Sequence, residues 1–232
     1  METSTLQRIK SKASKLFEGR LLQAGRVLEV RIWDSGNMVE IDLHLPEAEM
    51  AAWTDVPYIK FKVADLTYRD YTPFGWDAET STCTILVETG HKGIGAIWAE
   101  GLKQNDTVYY LKIDRTQQAP HPTNLVVALG DGSSMAHLLA LRQLTTPVSR
   151  FMGAVLMPDK RNGHLFNDYF RSPAEPLSTF DKLTDWLRSQ EYCTPHTSFY
   201  LTGNHQLVRR IRSLLRANGH PSEQILTKGF WS

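Results

Sequence analysis

The sequence predicts a β domain followed by an α/β domain: an antiparallel β-barrel, then a three-layer α/β unit. Three observations predict it. Between residues 24 and 116, short β-branched and aromatic runs with partial alternation follow one another at close spacing, as in antiparallel sheets. Beyond residue 123, near-continuous apolar runs alternate with segments of helical period, as in parallel strands covered on both faces. Between the two, Gln117-Gln118-Ala119-Pro120-His121-Pro122 carries two prolines and no periodicity, and reads as a linker. The expected units are an N-terminal amphipathic helix within 1–23, a barrel over 24–116 and an α/β domain over 123–232.

The elements follow in order. Leu6, Ile9, Ala13, Leu16 and Phe17 recur at helical spacing among lysines and arginines, which predicts a helix over 6–22 with a solvated basic face. Six strands are expected over 26–33, 37–45, 58–63, 66–72, 82–87 and 107–113, with one helix over 95–103. After the linker come a strand over 124–129, a helix over 133–144 and a strand over 150–157. A helix over 177–190, a strand over 199–202, a helix over 205–217 and a short strand over 225–228 complete the alternation. The stretch 158–176 is rich in aromatics and receives no element. Within it Asp159-Lys160-Arg161 is read as a loop.

Composition narrows the function classes. The 232 residues are 41% hydrophobic and 22% charged, ordinary for a globular protein with a real core. A formal charge of +1 argues against nucleic acid as the main partner. No apolar run approaches the ~18 residues of a membrane span, and the polar N-terminus does not resemble a secretory signal. Cys83 and Cys193 are too far apart for a metal knuckle or a redox pair, so a cytoplasmic, reduced state is the default. The eight histidines show no metal spacing, which leaves no metal site expected.

The chemistry concentrates in two stretches. Arg69-Asp70-Tyr71-Thr72 ends a predicted strand and brings a planar cationic fork, a flat ring and a compact hydroxyl together. About twenty residues on, His91-Lys92-Gly93-Ile94-Gly95-Ala96-Ile97-Trp98 opens a helix with two glycines. There the backbone N–H groups of Ile94 to Ile97 face outward for an anion, and the helix dipole favours negative charge. Together these stretches describe a flavin dinucleotide site. Trp98 reads as core packing. Gly130-Asp131-Gly132-Ser133-Ser134 follows a buried strand and precedes a helix, where doubly wound domains bind dinucleotides, although it lacks the full G-x-G-x-x-G pattern. Arg209 and Arg212 share one helix face, read as solvated, with attraction of an anionic ligand or an acidic partner as the alternative.

This order of domains, with Arg-x-Tyr-Thr late in the barrel, resembles the ferredoxin–NADP reductase superfamily, and within it the siderophore-interacting, FAD-binding ferric reductases. The resemblance covers most of the chain after residue 24. It implies an FAD-binding barrel and an NAD(P)H-binding-like α/β domain of nucleotide-binding type. Arg69 is then implied to hold FAD phosphate, Tyr71 to stack on the flavin and Thr72 to lie near its reactive N5. His91, Lys92 and the 93–97 backbone are implied around the pyrophosphate, and the 130–134 turn, from Gly130 to Ser134, at the nicotinamide nucleotide. Trp231, in Gly229-Phe230-Trp231-Ser232, either covers the flavin or tucks into the α/β domain. The implied activity passes electrons from NADPH, NADH or ferredoxin through FAD to a ferric siderophore or similar ferric chelate. The alternative is a flavin-binding electron-transfer partner without that activity. Departures are plain: Pro73-Phe74-Gly75 stands where many members have an arginine, the glycine turn is short, and Gly203-Asn204-His205 replaces the family's Gly-Glu.

Overall fold

The computed structural model describes residues 21–231. The helix expected over 6–22 therefore lies almost wholly outside the described residues. The first half is one antiparallel sheet of seven strands: β1 (Gln23–Ile32), β2 (Met38–His44), β3 (Pro57–Ala64), β4 (Thr67–Tyr71), β5 (Pro73–Asp77), β6 (Thr82–Glu88) and β7 (Thr107–Arg115). Their order is β4-β3-β7-β1-β2-β6-β5. The sheet curls like a barrel without closing, and its two edges, β4 and β5, are consecutive in the chain, separated by Thr72 alone. Alternating positions such as Ile59, Phe61 and Val63 of β3, with Val27, Ile41, Leu43 and Ile85, fill the inside. Helix α1 (Ile94–Gly101) plugs one end through Ala99 and Trp98.

One detail differs from the expectation for this half. There are seven strands and not six, because β5 begins on a proline and contains Gly75 at φ +58°, features that imitate a turn. Proline is tolerated at a strand's first residue on a sheet edge, and a register shift between Phe74 and Asp77 absorbs the glycine.

The second half is a five-stranded parallel sheet in the order β10-β9-β8-β11-β12. Its strands are β8 (Leu125–Asp131), β9 (Phe151–Leu156), β10 (Ala174–Leu177), β11 (Thr197–Asn204) and β12 (Ile225–Trp231). Helices α2 (Met135–Leu144) and α3 (Lys160–Phe170) cover one face, and α4 (Phe180–Ser189) and α5 (His205–Ala217) the other. β8 and β11 are buried almost end to end, the pattern of central strands covered on both sides. The stretch left unassigned, 158–176, holds α3 and most of β10. Asp159 is the N-cap of α3 and accepts from the Arg161 amide at 2.9 Å, so 159–161 is a helix start and not a loop. The fourth helix begins at Phe180, since Leu177 belongs to β10. A 3-10 turn, Gly132–Ser134, precedes α2, and β12 continues past Lys228 to Trp231.

The halves share a core. Trp33, Met38, Phe74 and Leu86 of the antiparallel sheet pack in one buried cluster with Met135, Leu138, Leu139 and Phe166. Polar links reinforce it: Asn162 donates to Asn37 Oδ1 at 3.0 Å and Gln143 donates to the Trp76 carbonyl at 2.9 Å. The linker is fastened too. Tyr200 donates to the Ala119 carbonyl at 2.9 Å, and the His137 Nε2–H donates to Gln118 Oε1 at 2.5 Å.

Candidate functional site

A cleft of about 940 Å³ opens between the two sheets. On the antiparallel side it is lined by Arg69, Tyr71 and Thr72, by the ends of β2 and β6 through Met38 and Glu88, and by the start of α1. On the parallel side it meets Gly132, Ser133, Ala136 and the last residues of β12, Lys228 to Trp231. The 69–72 and 91–96 stretches, separate in sequence, thus face one space together with the outer end of the 130–134 turn.

The strand edge explains the first group. Arg69 and Tyr71 alternate on β4, and Thr72 sits at the seam between the two sheet edges, half-buried. Arg69 donates from Nη1 to the Tyr68 carbonyl at 2.8 Å, which anchors one end of its fork at an exposed site. Tyr71 stacks on Trp98 with centroids 5.7 Å apart and 15° between planes, while Phe61 lies 6.2 Å away. Burial pushes the Tyr71 phenol up to about 12, against the opposing pull of Arg69, so it remains a neutral donor at physiological pH. Trp98 is core packing, as expected.

The second group is set by helix capping. Gly93 caps α1, and its N–H donates to His91 Nδ1 at 3.0 Å, which places the His91 proton on Nε2. A side chain at Gly93 would run into the His91 ring, and one at Gly95 into the Tyr71 hydroxyl. The glycines therefore let the turn and the strand end approach each other. Ile97 does not join the site: its N–H donates to the Gly93 carbonyl at 3.0 Å, and its side chain is exposed outside the cleft. A helix releases only its first-turn donors, so the free set is Ile94, Gly95 and Ala96. Lys92 is exposed and does not line the cleft either.

The 130–134 turn divides in the same way. Gly130 is buried within β8, where a Cβ would strike Ser134 and crowd the Thr202 carbonyl, so its role is packing. Asp131 Oδ1 accepts from the Ser133 N–H at 3.1 Å and its hydroxyl at 2.5 Å. Its Oδ2 accepts from the Asn204 N–H at 2.8 Å. Gly203, at φ +107°, makes room for that carboxylate. Asp131 and the buried Ser134 thus build the turn, leaving Gly132 and Ser133 on the cleft. Asn204 caps α5 by accepting from the Gln206 and Leu207 amides, which is what Gly203-Asn204-His205 does here. Trp231 lies over the turn and donates from Nε1 to Ser133 Oγ at 3.0 Å.

Two cleft groups, and a third buried behind its wall, were not signalled by any motif. Glu88 ends β6, and its carboxyl is raised by burial, with His91 opposing and Asp131 adding to the shift. Lys228 holds Nζ 5.4 Å from the Tyr58 ring centroid at the opposite lip. Beside Ala136, the fully buried His137 faces Phe230 at 5.6 Å. Burial, with Lys228 assisting, holds its imidazole down at about 3, so it is neutral. Among the described residues there is no cluster of metal-ligating side chains and no helix long and apolar enough to cross a membrane.

No family model matches the chain, and no curated protein matches it. Solved structures do. The siderophore-interacting protein from Aeromonas hydrophila aligns over 90% of this chain and 91% of its own, at TM-score 0.72 and 13% identity. Phthalate dioxygenase reductase, described as modular for electron transfer from pyridine nucleotides to [2Fe-2S], aligns over 91% of this chain and 68% of its own, at TM-score 0.72 and 14% identity. The flavohemoglobin from Malassezia yamatoensis, with bound FAD and heme, aligns over 94% of this chain and 63% of its own, at TM-score 0.70 and 12% identity. At such identities the likeness is one of fold: a barrel-like antiparallel domain followed by a parallel α/β domain, as in the ferredoxin–NADP reductases.

Proposed function

Starting from that fold, we propose that the chain is an FAD-dependent oxidoreductase that passes electrons from NAD(P)H or ferredoxin to a ferric siderophore or similar ferric chelate. One observation carries the flavin part. Arg69, Tyr71, Thr72 and the free amides of Gly95 and Ala96 converge on a single cleft, at the place where a Gly95 side chain would strike the Tyr71 hydroxyl. That donor set fits FAD: a guanidinium fork and first-turn amides for the diphosphate, a ring edge with a hydroxyl for the ribityl and isoalloxazine, and a small hydroxyl beside it. FAD, when bound, supplies the two-electron to one-electron conversion such a transfer needs.

The chain's own residues do the rest. Arg69 and the 94–96 amides bind the phosphates, and the macrodipole of α1 adds to the attraction. Tyr71, backed by Trp98, is held rigid and neutral, so it orients by stacking and hydrogen bonding without carrying charge into the cleft. Thr72, fixed at the seam of the sheet, offers a hydroxyl whose reach is set by β4 and β5 on either side. Leu86, Ala136 and Phe230 give the cleft an apolar stretch of wall. Glu88, at the end of β6, brings a carboxyl to the cleft between the two halves.

The ferric-chelate acceptor rests on the resemblance to siderophore-interacting proteins, and the donor on the 130–134 turn. A second reading, a flavin-binding electron-transfer partner without ferric-chelate turnover, is favoured by Trp231 lying across that turn. The test is the absorption spectrum of the purified protein with mass identification of any released chromophore. FAD in stoichiometric amount is expected, and Arg69→Ala is expected to purify largely without it. Full occupancy in that variant would remove the assignment. Turnover of a ferric chelate with NADPH or NADH then separates the two readings.

A further inference from the structure

In an open α/β sheet, the diphosphate of a nucleotide is held by backbone N–H groups where a strand turns into a helix at the carboxyl edge. Here that place is the 130–134 turn between β8 and α2. Its main-chain donors lead to acceptors within the chain itself. Asp131 Oδ1 takes the Ser133 N–H at 3.1 Å, and Oδ2 takes the Asn204 N–H, from the end of β11, at 2.8 Å. The Asp131 N–H goes to Ser134 Oγ at 3.3 Å, as part of a capping box, and the Met135 N–H goes to the Gly132 carbonyl. At the neighbouring strand end, the Gln206 and Leu207 amides that open α5 are taken by Asn204 Oδ1 at 2.8 and 3.2 Å.

Side chains close the rest of the turn. Ser133 Oγ donates to Asp131 Oδ1 at 2.5 Å and accepts from Trp231 Nε1 at 3.0 Å, so that hydroxyl is engaged on both sides. The backbone is shaped around the carboxylate. Gly203, at φ +107°, stands where a Cβ would come within 2.6–2.7 Å of the Asp131 carboxyl atoms. The space outside adds repulsion to occupancy. A cavity of about 520 Å³ follows the carboxyl ends of the parallel strands, and Glu88 and Asp159 line it together with Asp131. Among the described residues lining it the one cation is Arg210, whose guanidinium is stacked 3.6 Å from the Phe180 ring centroid.

We infer that Asp131 is a specificity-determining residue: its carboxylate fills the anion seat of the 130–134 turn and disfavours electron donors that must lay a diphosphate there. This deepens the proposed function and rests on it for the electron donor. Carboxylate and phosphate oxygens seek the same backbone donors, so the seat holds one or the other. A nicotinamide nucleotide seats its diphosphate only after Asp131 has released the Ser133 and Asn204 amides and Trp231 has left Ser133. A donor that brings its electrons without a diphosphate meets no such competition and is favoured.

The experiment is calorimetric titration of the full-length protein, with FAD in excess, using ADP, a diphosphate without a redox group. Wild type is expected to bind ADP with Kd above about 0.3 mM. Asp131→Ala is expected to bind it at least about tenfold more tightly, the scale of charge-assisted hydrogen bonds returned to a phosphate. Asp159→Asn removes a charge from the same cavity but leaves the seat filled, and is expected to stay within about twofold of wild type. Because Asp131 also caps the turn, Asp131→Asn is the variant that keeps an acceptor for the Ser133 N–H. It loses the charge and not the seat, so its affinity falls between those of Asp159→Asn and Asp131→Ala. Wild-type Kd below that limit, no gain in an Asp131→Ala protein that melts cooperatively, or equal affinities of Asp131→Asn and Asp159→Asn overturns the inference. Full FAD loading with tight wild-type ADP binding sinks this inference alone. A protein that takes no FAD yet shows this order of affinities sinks the reductase reading alone.

Discussion

Gly95→Ala tests the geometry at the heart of the cleft, because it adds one methyl where the strand end and α1 meet. Gly95 is buried, and its Cβ would overlap the Tyr71 hydroxyl and lie 3.4 Å from Arg69 Cγ. The ring has no easy retreat, being stacked on Trp98 and close to Phe61. Two terms oppose each other in the flavin-free protein. Alanine in a helix is favoured over glycine by ~0.5–1 kcal/mol. Forcing a methyl into a packed contact costs ~1–3 kcal/mol. The second wins, and a net loss of ~0.5–2 kcal/mol lowers Tm by ~2–6 °C in a chain of this size. The effect on FAD is larger in kind. A displaced Tyr71 and a blocked approach to the 95–96 amides remove charge-assisted contacts worth ~1.5–3 kcal/mol, so affinity falls about 10- to 100-fold. Scanning calorimetry and fluorescence titration with FAD read the two quantities. Tyr71→Phe takes away the colliding oxygen, so the Gly95→Ala/Tyr71→Phe double variant regains stability relative to Gly95→Ala, with a coupling of ~1 kcal/mol or more. Wild-type Tm and wild-type FAD affinity in Gly95→Ala would refute the reasoning.

Three further outcomes are expected. Thr72→Ala leaves FAD occupancy near wild type but slows flavin reduction in stopped flow; an unaltered rate means the seam hydroxyl takes no part. Trp231→Ala removes the hydrogen bond to Ser133 and raises the rate of flavin reduction by NADPH about 2- to 10-fold, the population change for one lost bond; a slower rate shows that the indole helps the donor bind. His137 is held neutral at about 3 in the folded protein, below its unfolded value near 6.5. Between those values the unfolded chain binds the extra proton, so stability declines as pH falls through 6 toward 4, by at most ~1.4 kcal/mol per pH unit from this residue. Urea melts of His137→Gln show a shallower pH dependence than wild type, and parallel profiles would contradict the burial argument.

Much of the architecture was legible because burial writes itself into patterns. The apolar run Asn124 to Leu129 announced a central parallel strand, and α5 matches the helix expected over 205–217, its buried side formed by Leu207, Val208, Ile211 and Leu215. What escaped was local chemistry that imitates a turn. Pro73 and Gly75 hid an edge strand, and Gly163 with flanking Asn162 and Asn167 hid α3, whose glycine exists to pack against Pro176. The β4 and α1 stretches facing the cleft were visible as motifs because their chemistry is concentrated in eight residues or fewer. Glu88 and Lys228 were not, since each is an ordinary strand charge, at the end of β6 and within β12, that only the meeting of the two sheets brings to the same space. The reach of the site was overdrawn at Ile97 and Lys92 because a motif does not say which amides the helix keeps for itself.

The buried cluster that runs from Trp33 and Phe74 to Met135 and Phe166 has a consequence for how the molecule comes apart. In many two-domain proteins each half melts on its own. Here neither half owns a complete hydrophobic wall: cut at the linker, the first would bare Trp33, Met38, Phe74 and Leu86, and the second the apolar side of α2. Loss of one half exposes the other, so heating is met by a single cooperative transition rather than two. The same continuity makes hinge-bending an expensive route for ligand entry and leaves traffic to the few residues at the end of β12.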